Sequence, residues 1–114
     1  MKKDIKLHLR HWVYVEGNKF FGPGRLELLE GIEATGSIVK AAKAMGMSYK
    51  KAWAMVDSMN SHGQRPYVIT QKGGQLGGGA QLTEHAKNVI AAYKKLDARL
   101  LAVLHEEQEL QSLI

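Results

Sequence analysis

The chain contains no cysteine, so a disulfide framework, a cysteine-built zinc site and a thiol nucleophile are all excluded, and the composition is compatible with the cytoplasm. No apolar run approaches the roughly 20 residues needed to span a bilayer. Met1-Lys2-Lys3-Asp4 leads into alternation, not into the apolar core of a secretory signal. No Ser-His-Asp set or carboxylate pair stands in a recognisable setting, and the 5 histidines are scattered. No catalytic residue is assigned and no enzyme is expected. His8 and His11 would point to opposite faces of a strand and cannot hold one metal together, so no metal or other cofactor is expected. The 114 residues fit one domain with a modest core and little margin, which a partner subunit would widen.

The net charge is +5, and it is unevenly spread. Residues 1–65 hold 11 Lys and Arg against 6 Asp and Glu, whereas residues 66–114 hold 5 against 5. A polyanion would therefore meet the first half, although an excess of this size also serves simple solubility.

That half contains Thr35 to Asn60, TGSIVKAAKAMGMSYKKAWAMVDSMN, which reads as two short helices around a glycine turn. Ser37 can cap the first and Ser48 the second, each hydroxyl accepting from an otherwise unpaired amide of the opening turn. Gly46 supplies the break, because glycine enters the left-handed conformation without steric cost. Ile38, Ala41, Ala42 and Met45 recur at helical spacing, as do Ala52, Met55, Val56 and Met59. Each helix thus buries one face, Ala41 and Ala42 permit a close crossing, and Lys40, Lys43, Lys50 and Lys51 point outward. This is the pattern of a helix-turn-helix over 37–60, whose expected ligand is double-stranded DNA.

The flanks extend the pattern. From Ile5 to Val15 the chain alternates, with Ile5, Leu7, Leu9, Val13 and Val15 on one face, which predicts a strand with one buried side. Glu16-Gly17-Asn18-Lys19 has turn chemistry and Phe20-Phe21 begins a return strand, giving an N-terminal hairpin over 1–22. His11 interrupts the apolar face and is expected to be hydrogen-bonded or at an interface. Pro23 suits the first turn of a helix carrying Leu26, Leu28, Leu29 and Ile32, with Glu27, Glu30 and Glu33 outside and Arg25 at its start.

After a loop at Ser61 to Gln64, Pro66 to Thr70 reads as a strand, followed by Gln71-Lys-Gly-Gly-Gln-Leu-Gly-Gly-Gly-Ala80 and Gln81-Leu82. A glycine loop between two short strands directly after a helix-turn-helix is the wing of a winged helix, here over 66–82, and its glycines allow close approach to a sugar-phosphate backbone. A loop with no DNA role competes with this reading. A nucleotide-phosphate loop does not, because the strand-to-helix context and Gly-Lys-Ser/Thr are missing.

Thr83 opens the last helix. Ala86, Val89, Tyr93, Leu96, Leu100 and Val103 follow at spacings of three and four, a heptad-like seam. From Thr83 to Glu109 the helix would run about 40 Å at 1.5 Å per residue. That exceeds what a small domain covers, so 83–114 is predicted to pair with its copy through Val89, Tyr93, Leu96, Leu100 and Val103, as a homodimer.

FFGPGRLELLE, TGSIVKAAKAMGMSYKKAW, VDSMN and GGQLGGGAQLTEHAK together resemble the N-terminal DNA-binding region of the molybdate-responsive ModE regulators, similar also to that of the LysR type. The resemblance runs from about Phe20 to Lys87. It implies a mainly α, α+β winged helix-turn-helix that binds operator DNA as a homodimer. Ser48-Tyr49-Lys50-Lys51 would open the recognition helix, 48–60, and Gly73 to Ala80 would form the wing. ModE regulators usually continue into a molybdate-binding domain, and this chain stops at Ile114. Metal-oxyanion sensing is not carried over, and a stand-alone, nucleoid-associated cytoplasmic regulator is expected. Whether a small-molecule effector binds, at the dimer seam for example, is left open by the residues.

On such a recognition helix Ser48, Tyr49, Lys50, Lys51 and Ala54 are the expected base contacts, lysine donating to guanine and Ala54 approaching a thymine methyl. Arg25, Ser37, Lys40, Lys43, Lys72, Gly73, Gly74 and Gly78 are expected at phosphates, which position without reading sequence. Trp53 borders both faces and reads as a packing ledge. The alternative function is a winged-helix protein-protein interaction module without sequence-specific DNA binding.

Overall fold

The computed structural model of the protein describes residues 3–71 and 79–114. Among these, four short strands and five helices follow as β1 (Val13–Val15), β2 (Asn18–Phe21), α1 (Pro23–Thr35), α2 (Ile38–Ala44), α3 (Tyr49–His62), β3 (Val68–Gln71), β4 (Gly79–Leu82), α4 (Glu84–Glu106) and α5 (Glu109–Leu113). The strands form two separate antiparallel hairpins, β1-β2 and β3-β4. The described chain is thus mainly helical with two small hairpins, in line with the expected class.

The core is a three-helix contact closed by both hairpins. Leu28, Leu29 and Ile32 of α1 meet Ala41 and Ala42 of α2 and Ala52, Val56 and Met59 of α3, while Phe20, Phe21, Tyr67, Val68 and Leu82 close the ends. The close crossing expected from Ala41 is present, and its other half is Gly31: a methyl group added there would sit 3.0 Å from the Ala41 Cβ. No polar or charged residue is fully buried among the described residues, so the centre of the core is apolar, with hydrogen-bonding side chains confined to its margin.

Two expectations about the N-terminal segment are corrected. The strand from Ile5 to Val15 is paired only over Val13–Val15, and Val13 and Val15 are exposed instead of buried. The two residues Glu16 and Gly17, both with positive φ, make the turn, so the return strand begins at Asn18. Pairing is irregular between Val13 and Tyr14. Upstream of Val13 the partner is a helix instead of a strand. The Tyr93 hydroxyl donates to the His11 carbonyl at 2.7 Å, the two rings stack at 4.2 Å, and His11 Nε2 lies 3.5 Å from Asp97. Lys3, Asp4 and Ile5 line a hollow together with His105, Gln108 and Ile114. The segment therefore runs back along α4 as an extended strap. Burial, reinforced by the Asp97 carboxylate, raises the Tyr93 phenol above its ordinary pKa and keeps it a proton donor.

Tyr93→Phe removes one half-buried hydrogen bond and leaves the ring packing in place. We expect a loss of about 1 kcal/mol in chemical denaturation, with faster amide exchange confined to the strap. Exchange that stays unchanged there would show that Tyr93 does not hold it.

The last helix is also shorter than expected. It ends at Glu106, not Glu109; Glu107 is extended, and its carboxylate accepts from the Leu110 amide at 2.9 Å, starting α5. The Glu106-Glu107-Gln108-Glu109 run carries its break in a side-chain cap, without the glycine or proline that would announce it.

Candidate nucleic-acid interface

The site is built on the turn between α2 and α3. Ser37 Oγ accepts from the Lys40 amide at 3.1 Å and Ser48 Oγ from the Lys51 amide at 3.1 Å, so both serines cap as expected. Each such cap contributes about 1 kcal/mol to the helix it opens. Gly46 has φ +65°, the left-handed conformation that lets Met47 donate back to the Ala42 carbonyl at 2.9 Å and close α2. These local devices set the angle at which α3 leaves the turn.

With Ala52, Val56 and Met59 buried, the opposite face of α3 is open. Ser48, Tyr49, Lys50, Lys51 and Ala54 are all exposed, as are Lys40 and Lys43 on α2. The two helices flanking the turn thus leave four lysines and one phenol exposed to solvent, with the buried face of α3 against the core. Trp53 is half-buried against the core and meets the Tyr49 ring edge-on at 6.2 Å, a ledge supporting that phenol. Lys72, Gly73, Gly74 and Gly78 lie outside the described residues.

Two expected site residues are engaged elsewhere. Arg25 is half-buried, and its Nη1 donates to the Phe20 carbonyl at 2.5 Å and to Ser58 Oγ at 3.1 Å. It therefore ties β2 to α3, and burial pulls its pKa below the usual arginine value. Tyr93, expected in a dimer seam, packs inside its own chain against Phe21 and His11. Of the other seam candidates Val89 and Leu100 are half-buried, while Leu96 and Val103 are exposed.

One residue absent from the sequence reading fastens the second hairpin to α3. Asn60 Oδ1 accepts from the Tyr67 amide at 2.7 Å and the Val68 amide at 3.0 Å, and its Nδ2 donates to the Val68 carbonyl at 3.0 Å. From the other side, the Ala80 amide donates to the Gly36 carbonyl at 2.9 Å, joining β4 to the start of α2. The ends of β3 and β4 are thereby held in fixed relation to the lysine-bearing turn. The Asn60 bonds span only seven and eight positions, whereas Ala80 and Gly36 are far apart in sequence.

Among the described residues no group of three or more His, Cys, Asp and Glu side chains gathers closely enough to hold a metal, and no helix is long and apolar enough to cross a membrane. The surface offers positive charge, a phenol and small side chains, suited to binding an anionic polymer by contact.

No family model matches the chain. It is similar to the molybdenum transport protein ModE of Azotobacter vinelandii, 41% identical over 85 residues, which are 75% of this chain and 32% of that protein. It is similar to the molybdenum-pterin-binding protein MopB of Rhodobacter capsulatus, 43% identical over 83 residues, 73% of this chain and 31% of that protein. It is likewise similar to the DNA-binding transcriptional dual regulator ModE of Escherichia coli K12, 36% identical over 96 residues, 84% of this chain and 35% of that protein. The chain spans about a third of the length of these relatives. The capped lysine turn and the identity across most of its length together assign the chain to the ModE-like family.

Proposed function

We propose that the chain is a DNA-binding transcriptional regulator that reads operator DNA through the turn opening α3. Several similar proteins carry the name of transcriptional regulator, one of them of DNA-binding dual regulator. The observation that carries the reading is the exposure of Ser48, Tyr49, Lys50 and Lys51 on one capped turn backed by a rigid core. In this reading residues 1–82 are a winged helix-turn-helix, with α3 entering the major groove and 66–82 as the wing. Lys50 and Lys51 donate to base edges, Tyr49 and Ala54 make close contact with bases, and Ser48, whose oxygen caps α3, retains a hydroxyl proton to donate to a base edge. Lys40, Lys43 and the hydroxyl of Ser37 sit at phosphates, and Lys72 and the wing glycines, outside the described residues, are assigned to phosphates as well. Arg25 acts one step back, by holding α3.

Residues 83–114 serve as the dimerisation segment. What supports a homodimer is the exposure of Leu96 and Val103, seven residues apart and so on one side of α4, with further exposed apolar groups at Leu110 and Leu113 of α5. A two-fold pair of recognition helices would match a two-fold operator.

Lys50→Ala is expected to weaken binding of a duplex selected from a random library by about 1 to 3 kcal/mol and to relax base preference at one position. Gel-shift titration measures both. Equal affinity and equal preference in wild type and variant would remove Lys50 from the interface.

A further inference from the structure

Between Ser37 and His62 the chain has a single acidic residue, Asp57, which follows Lys40, Lys43, Lys50 and Lys51. It is exposed, and neither ion pair found among the described residues uses it. Its place on α3 follows from the helical repeat. Asp57 stands seven residues after Lys50 and three after Ala54, so at about 100° per residue the three fall on one stripe. That stripe is opposite Ala52, Val56 and Met59, which are buried. At about 1.5 Å per residue, Asp57 lies about 10 Å further along the axis than Lys50. That distance is roughly three base pairs at 3.4 Å each.

Resting on the reading of α3 as the groove-entering helix, we propose that Asp57 is a base-selecting residue that requires an exocyclic amine, foremost the N4 amine of cytosine, about three base pairs from the base met by Lys50. The reason is one of chemistry. An ionised carboxylate only accepts hydrogen bonds. The floor of the major groove presents acceptors at guanine N7 and O6 and at thymine O4, and donors only at the amines of cytosine and adenine. Opposite guanine or thymine the carboxylate is desolvated against like partial charge, and opposite cytosine it gains a bond. Adenine is the weaker match, because its N7 acceptor adjoins the amine. Phosphates repel the same carboxylate, so it also disfavours rotations of α3 that would bring Asp57 to the backbone. A selective position thus arises from an unfavourable pairing as much as a favourable one.

The test is selection of duplexes from a random library by wild type, Asp57→Ala and Asp57→Asn, followed by affinities for the selected site and its single-base variants. Wild type should bind the cytosine site about 10-fold more tightly than the thymine or guanine variant, consistent with the usual cost of one mismatch. Asp57→Ala should reduce that ratio to about twofold while leaving the base preference assigned to Lys50 intact and binding thymine and guanine variants at least as well as wild type does. Asp57→Asn, which can both donate to N7 and accept from N6, should move the preference to adenine. Selection by wild type with no cytosine preference altered in either variant overturns the role of Asp57 alone. A wild type that selects no sequence at all overturns the reading of α3 as well. Circular dichroism melting of Asp57→Ala should match wild type, and a lower midpoint would mark Asp57 as a folding residue instead.

Discussion

Asn60→Ala is expected to be among the most damaging single substitutions outside the hydrophobic core. The side chain satisfies two half-buried backbone amides and one carbonyl of the Tyr67-Val68 segment. Truncation leaves two donors without an acceptor, and at about 1 to 3 kcal/mol for each such group the loss should be about 3 kcal/mol. For a chain of this size that lowers the melting midpoint by on the order of 10 °C. Asn60→Asp keeps the acceptor oxygen and gives up only the bond to the Val68 carbonyl, so it should cost markedly less. Calorimetric melting of the three proteins distinguishes the cases, and equal midpoints for Asn60→Ala and wild type would show that β3 is held by other contacts. The functional consequence follows from geometry. β3 and β4 are positioned against the lysine turn through Asn60 on one side and the Gly36 carbonyl on the other, so loosening the first should weaken duplex binding even below the melting range.

The second large effect concerns assembly. In the double variant Leu96→Asp and Val103→Asp, both changes fall on exposed positions of α4, 41% and 64% accessible, so the isolated protomer should fold nearly as well as wild type. Across a two-fold seam each new carboxylate meets desolvation and its symmetry-related charge. Sedimentation should then report a monomer at micromolar concentration where wild type is a dimer. Affinity for a two-fold operator should fall by roughly 100-fold or more as the second half-site contact ceases to be intramolecular. A variant that sediments like wild type would show that α4 is not the seam.

What was legible in the sequence is what is decided locally. The caps at Ser37 and Ser48, the break at Gly46 and the buried faces of α1 to α3 each depend on residues within a few positions of one another. The N-terminal segment was misread because alternation reports that one side is covered, not by what. Here α4 does the covering through Tyr93, 82 positions along the chain from its partner His11. Arg25 looked like a free cation at a helix start, and only the fold brings Ser58 and the Phe20 carbonyl to it. Asn60 was passed over for the same reason: its partners belong to a strand whose approach is set by tertiary packing. Asp57 was visible throughout, but its meaning depends on knowing which face of α3 is open.

In the proposed mode of action, the lysines around the α3 turn hold the chain on duplex DNA. The most direct measurement is the affinity for a selected duplex as a function of salt concentration. Lys40, Lys43 and Lys72 on each of two subunits would neutralise about six phosphates, so the logarithm of the binding constant should fall against the logarithm of salt with a slope of about −5. A slope near zero, or failure to select any duplex, would contradict DNA reading and favour a winged helix that docks proteins.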